Sequence, residues 1–76
     1  MPELRKVSGD KLLKILCNKF GFYILRQRGS HVVIVKDILS GKIGTVIPMH
    51  GELKIGTIKG ILKQVKISVE DIAGFL

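Results

Sequence analysis

The sequence predicts an α+β fold: a two-layer sandwich in which an antiparallel three-stranded meander carries helices on one face. The expected order is α-β-β-β-α with a short helix at the C-terminal end. Three observations predict it. Apolar residues repeat at helical spacing over 12–20 and again over 58–65. β-rich runs fill the stretch between them, punctuated by Gly29-Ser30 and Ser40-Gly41. The 76 residues have room for one core and not for a second, so 1–76 reads as a single domain.

In the first helix Leu12, Leu13, Leu16 and Phe20 share a side with Ile15 beside them, while Lys11, Lys14, Asn18 and Lys19 lie elsewhere on the wheel. Ser8 suits the N-cap, because its hydroxyl can accept an orphan backbone N–H, and Asp10 complements the positive end of the helix dipole. Gly21 is the stop, since glycine tolerates the left-handed C′ conformation. Phe22 at C″ is then expected to fold back over Leu16 and Cys17 in a Schellman ending. That explains Cys17 as a packing residue rather than a reactive thiol.

Strand material follows. Residues 22–25 lead through Arg26, Gln27 and Arg28 to Gly29-Ser30, then to the run 31–36. The Gly-Ser pair predicts a hairpin with a two-residue type II′ turn. That register sets Arg28 opposite His31 and Arg26 opposite Val33, all on one face, whereas a loop one residue longer reverses the facing. Residues 37–44 read as the next turn. Residues 45–47 read as a third strand ended by Pro48, which has no N–H to give to a ladder.

Ile58, Ile61, Leu62 and Val65 then mark one face of a second helix, with Lys59, Lys63 and Lys66 off it. Gly56 and Gly60 each cost about 1 kcal/mol relative to alanine there. Their four-residue spacing places them on one side, where the backbone is expected to approach the sheet. Ser68 reads as a second N-cap, with Glu70 and Asp71 in the first turn of a short helix running through Ile72, Phe75 and Leu76. Residues 32–35 are all apolar, so both faces of the middle strand are hydrophobic. Helices cover one face. The other is a candidate protein interface, for self-association or for a different chain.

Thirteen Lys and Arg against six Asp and Glu leave a formal charge of +7. Polyanions are the expected partners, nucleic acid before anionic membrane or an acidic protein. A hydrophobic content of 46% excludes a disordered basic tail. No apolar run approaches the roughly 18 residues of a membrane span, and no charged-then-apolar leader opens the chain. Cys17 stands alone, so no internal disulfide forms and a reducing, cytoplasmic setting is expected.

The chemistry available is sparse. Nothing resembles a structural zinc site, a P-loop or a dinucleotide fingerprint, and neither a metal nor a cofactor is expected. Ser30 and His31 are neighbours, which a strand points to opposite faces, so they are poorly placed as nucleophile and base. Six scattered acids do not suggest two-carboxylate catalysis. RNA cleavage asks less, because the ribose 2′-OH is an internal nucleophile. One histidine can move the proton, and Arg or Lys can stabilise the phosphorane. His31, at a hairpin mouth beside Arg26 and Arg28, fits that inventory; the alternative is a half-exposed strand histidine with no role. Gly29, Ser30, Lys59 and Lys63 join the two arginines as candidate substrate contacts.

Ser8-Gly9 opening a helix and Gly21-Phe22 closing it, then Arg26-Gln27-Arg28-Gly29-Ser30-His31, Val46-Ile47-Pro48-Met49-His50, and Gly56-Thr57 with Ile61-Leu62-Lys63-Gln64, resemble the HicA (YcfA-like) toxin family over about residues 6–72. The resemblance implies a double-stranded-RNA-binding-domain-like fold and an mRNA interferase neutralised by a HicB antitoxin. It also implies that the family's active-site histidine falls on His31. His50 matches a histidine common in the pattern, and a loop or helix-capping role suits it equally. Ile55 departs from a frequent proline, which leaves the start of the second helix open. Two functions are expected: a metal-independent endoribonuclease toxin using His31, or, as the alternative, a non-catalytic double-stranded-RNA-binding module. A third class is a protein-interaction module whose charge serves solubility. HicB is expected to cover part of the His31 side with acidic groups against Arg26 and Arg28.

Overall fold

A computed structural model describes residues 4–76. The chain runs α1 (Gly9–Lys19), β1 (Tyr23–Arg28), β2 (His31–Ile38), β3 (Gly41–Pro48), α2 (Ile55–Val65) and α3 (Val69–Ala73). The strands form an antiparallel sheet in the order β1-β2-β3. Val32 and Ile34 of β2 are buried while Val33 and Val35 are half-buried, so the helices cover one face. Leu12 and Leu16 of α1, Ile47 of β3, Ile58 and Val65 of α2 and Ile72 of α3 complete the core on that face. This is the α+β sandwich expected from the periodicities. Among the described residues no helix is long and apolar enough to cross a membrane.

The caps act as the residue types suggest. Ser8 Oγ accepts from the Lys11 N–H at 3.0 Å, and Ser68 Oγ accepts from the Asp71 N–H at 3.1 Å. At the end of α1 Gly21 takes φ +79°. The N–H groups of Phe20 and Phe22 both donate to the Leu16 carbonyl at 3.2 Å. A Schellman ending would carry the Phe22 bond to the Cys17 carbonyl, so the helix closes one residue wider than that motif. The phenylalanine is nevertheless buried as expected. Cys17 packs against the core, and burial pushes its thiol pKa up, away from the thiolate form.

Gly29 takes φ +58° at the first turn position, as a II′ turn requires, and Arg28 pairs with His31 and Arg26 with Val33. β1 then departs from regular pairing. The register passes from Arg26–Val33 to Ile24–Ile34, which leaves Leu25 as a bulge without a partner.

Three expectations are corrected. The second turn is only Leu39-Ser40, because β2 continues to Ile38 and β3 begins at Gly41. Asp37 belongs to the strand, where its carboxylate meets the Lys42 ammonium across the ladder at 3.7 Å. Gly44 is also a strand residue; a Cβ there would lie 2.6 Å from the Ile34 carbonyl oxygen. Gly56 and Gly60 do share a side, but it faces solvent, with nothing within 4 Å of a Cβ at either position. The buried face of α2 is taken by Ile58, Ile61, Leu62 and Val65. The last helix stops at Ala73, and Phe75 lies beyond it, edge-on to Phe20 at 5.7 Å between ring centroids.

Backbone bonds at one end of the sheet hold the hairpin mouth in place. The Met49 N–H donates to the Ser30 carbonyl at 2.6 Å and the Gly9 N–H to the His50 carbonyl at 2.9 Å. The Leu53 N–H donates to the Val7 carbonyl at 2.8 Å. The start of α1, the end of β3 and the tip of the first hairpin are thereby tied to one another.

Candidate active site

The face of the sheet away from the helices is laid out in rows by the ladder. Arg28, His31 and Pro48 form the first row, and Arg26, Val33 and Val46 the second. Tyr23, Val35 and Gly44 form the third, with Asp37 and Lys42 beyond. Alternation along β2 is what puts His31, Val33, Val35 and Asp37 on one side.

A groove of about 470 Å³ opens on the first two rows, lined by Arg26, Gln27, Arg28, His31, Val33 and Val46. His31 is the first residue of β2 and exposed, and its place is set by the II′ turn before it and by the Ser30–Met49 bond beside it. Arg26 and Arg28 are exposed. Among the described residues the ion pairs are Lys14–Asp10 and Lys42–Asp37, so neither guanidinium is neutralised by a carboxylate. The Gln27 amide donates to the Gly29 carbonyl at 3.3 Å and braces the turn. An imidazole open to solvent, with two unpaired guanidiniums one strand away, can exchange a proton and stabilise an anion in the same place.

The structure brings together His31, Arg26 and Arg28, with Gly29 and Ser30 at the tip of the same hairpin. Lys59 and Lys63 are exposed on α2, in the layer on the other side of the sheet, and do not reach this groove. His50 lines a separate recess with Pro48, Glu52, Leu53, Lys54 and Thr57. Its carbonyl accepts the Gly9 N–H, so its backbone has a structural part near the start of α1. Among the described residues no three His, Cys, Asp or Glu side chains gather as a metal site would need.

Tyr23 was not legible as part of this face. Strict alternation sets Tyr23 and Arg26, three residues apart, on opposite sides. The bulge at Leu25 turns Tyr23 over, so that it pairs with Val35 and its hydroxyl donates to the Asp37 carboxylate at 3.3 Å. The phenol, together with Asp37, holds the Lys42 ammonium above the ordinary lysine pKa range.

The family model described as the HicA toxin of bacterial toxin-antitoxin matches residues 9–67. The chain belongs to the HicA toxin family. No curated protein and no solved structure matches it. The matched segment begins with α1, ends two residues past α2 and contains the whole groove, whereas α3 lies outside it. HicA membership makes the chain a toxin of a toxin–antitoxin system. It also agrees with the α-β-β-β-α order and with the resemblance carried by the Arg26–His31 string.

Proposed function

We propose that this HicA-family toxin is an endoribonuclease whose catalytic residue is His31. The observation that carries the proposal is the juxtaposition of an exposed imidazole with two carboxylate-free guanidiniums in one groove. The ribose 2′-oxygen bonds to phosphorus as the P–O5′ bond breaks, leaving a 2′,3′-cyclic phosphate and a 5′-hydroxyl. His31 takes the 2′-OH proton as a neutral imidazole, or gives one to the departing O5′ as imidazolium, and water completes the other transfer. Arg26 and Arg28 hold the phosphate and stabilise the charge of the pentacoordinate phosphorus. A HicB antitoxin silences the toxin by covering the same open, basic face.

Incubating wild type and His31→Ala with RNA in EDTA tests the proposal. General acid–base catalysis contributes about 10²–10⁴-fold, so the variant should lose at least that much cleavage while binding RNA nearly as well. Wild-type products should end in cyclic phosphates. Equal cleavage by both proteins would remove His31 from the mechanism. Salt-sensitive binding without cleavage by either would make the chain a binding module.

A further inference from the structure

Two features of the open face are not used by proton transfer and phosphate binding. The first is its apolar floor: Val46 is 44% exposed, and Val33 and Val35 are half-buried with no helix above them. The second is Tyr23, 40% exposed, which the Leu25 bulge turns onto this face and the Asp37 carboxylate holds by its hydroxyl. From the row of His31 to the row of Val35 and Tyr23 is four residues along β2, about 13 Å. Gly44, opposite Val35, leaves that row without a side chain on its β3 side.

Guanidiniums at one end, a valine floor next and an aromatic ring beyond match a strand whose bases are free. The outside of a duplex offers phosphates, 2′-hydroxyls and base edges, none of which gains from a valine floor or a stacking ring. An unpaired base has an apolar face to bury, and aromatic rings on open sheets serve as platforms for such bases. The proposed chemistry points the same way, because in-line attack by a 2′-oxygen requires a backbone free to leave helical geometry.

We infer that the open sheet face binds single-stranded RNA through its bases, with Val33 and Val46 under the base beside the reacting phosphate and Tyr23 stacked on the next one. Tyr23 is thus a positioning residue that sets which nucleotides are held while His31 acts. The inference rests on the reading of the groove as an RNA-cleaving site.

Tyr23 is the only tyrosine and there is no tryptophan, so intrinsic fluorescence reports this ring alone. The full-length His31→Ala chain is titrated with a short mixed-sequence single-stranded RNA and with the same strand annealed to its complement. The single strand should quench Tyr23 saturably and the duplex should not. With end-labelled RNA and anisotropy as the readout, which does not need the Tyr23 ring, Tyr23→Ala in the His31→Ala background should weaken single-strand binding about tenfold, a typical loss for one stacked base. Tyr23→Phe should restore most of that binding. Val46→Asp, an exposed substitution that adds a carboxylate to the floor, should weaken it as well. Circular dichroism checks that each variant folds.

Equal quenching by the duplex, or single-strand binding indifferent to both Tyr23→Ala and Val46→Asp, would overturn the inference. His31-dependent cleavage by wild type would still leave the proposed function standing in that case. Wild type that neither cleaves nor binds RNA removes both. A change in Tyr23 fluorescence on self-association, without any on adding RNA, would make this face a protein interface and overturn the inference too.

Discussion

Gly9 occupies a point where the first helix meets the end of β3 with no space for a side chain. A Cβ there would strike the Pro48 carbonyl oxygen and sit 3.0 Å from the Met49 Cα, both backbone atoms that cannot rotate away. Gly9→Ala should therefore cost about 1–3 kcal/mol or more, the range for overpacking, as a lower midpoint in urea unfolding. It should also reduce cleavage, because the shifted segment holds the Ser30 carbonyl beside His31. Lys66 is the opposite case. It has φ 59° at the end of α2, where its N–H donates to the Lys63 carbonyl and the Ile67 N–H to the Leu62 carbonyl. These are the two bonds of a Schellman motif, with lysine where glycine is usual. Relief of the left-handed strain outweighs the added freedom of the unfolded chain, so Lys66→Gly should gain about 0.5–1 kcal/mol in thermal or urea melts.

The helices differ in how they begin. α1 and α3 open on a serine whose hydroxyl accepts a backbone N–H, with an acid in the first turn. α2 opens on Lys54, has no side-chain cap bond and no acid in its first turn. Ile55 is its first helical residue, which settles the start that its departure from proline had left open. Lys54→Asp should stabilise the chain by about 1 kcal/mol, by capping an orphan N–H and reversing an unfavourable charge at the helix start. Unfolding midpoints of the two proteins check it. Where helix starts and apolar faces were read from cap residues and spacing they agree with the structure, the side assigned to Gly56 and Gly60 excepted, since both depend on residues within one turn of one another. The bulge at Leu25 was not legible, because nothing in a run of Ile24, Leu25 and Arg26 says which residue loses its partner. The extended second hairpin was missed for a related reason. Asp37 and Gly44 have turn chemistry in isolation, and only pairing with Lys42 and Val35 makes strand residues of them.

Across the whole molecule the sandwich separates two basic surfaces. Arg26 and Arg28 flank His31 on the open sheet, while Lys59 and Lys63 face solvent on the helical layer. On the proposal that a HicB antitoxin silences the toxin by covering the groove, the antitoxin must meet the first surface. Arg26→Glu with Arg28→Glu should therefore weaken antitoxin binding at least tenfold in calorimetry. Lys59→Glu with Lys63→Glu should change it far less, although both pairs of substitutions lower the net charge of +7 equally. Unchanged antitoxin affinity in the arginine variant would place HicB elsewhere.

By itself the sequence determined the apolar stripes of the two longer helices, the serine caps, the Gly29-Ser30 hairpin and the resemblance to the HicA family. Each depends on residues close together in the chain or on an ordered string of motifs. Only the tertiary structure decided that Tyr23 joins His31 on one face, that Lys59 and Lys63 do not, and that Gly56 and Gly60 look outward while Gly9 and Gly44 are the glycines in close contact. Those facts depend on which face each element turns to its neighbours. A single unpaired residue in an edge strand, or a layer of helices on one side of the sheet, sets that facing without leaving a periodic mark on the sequence.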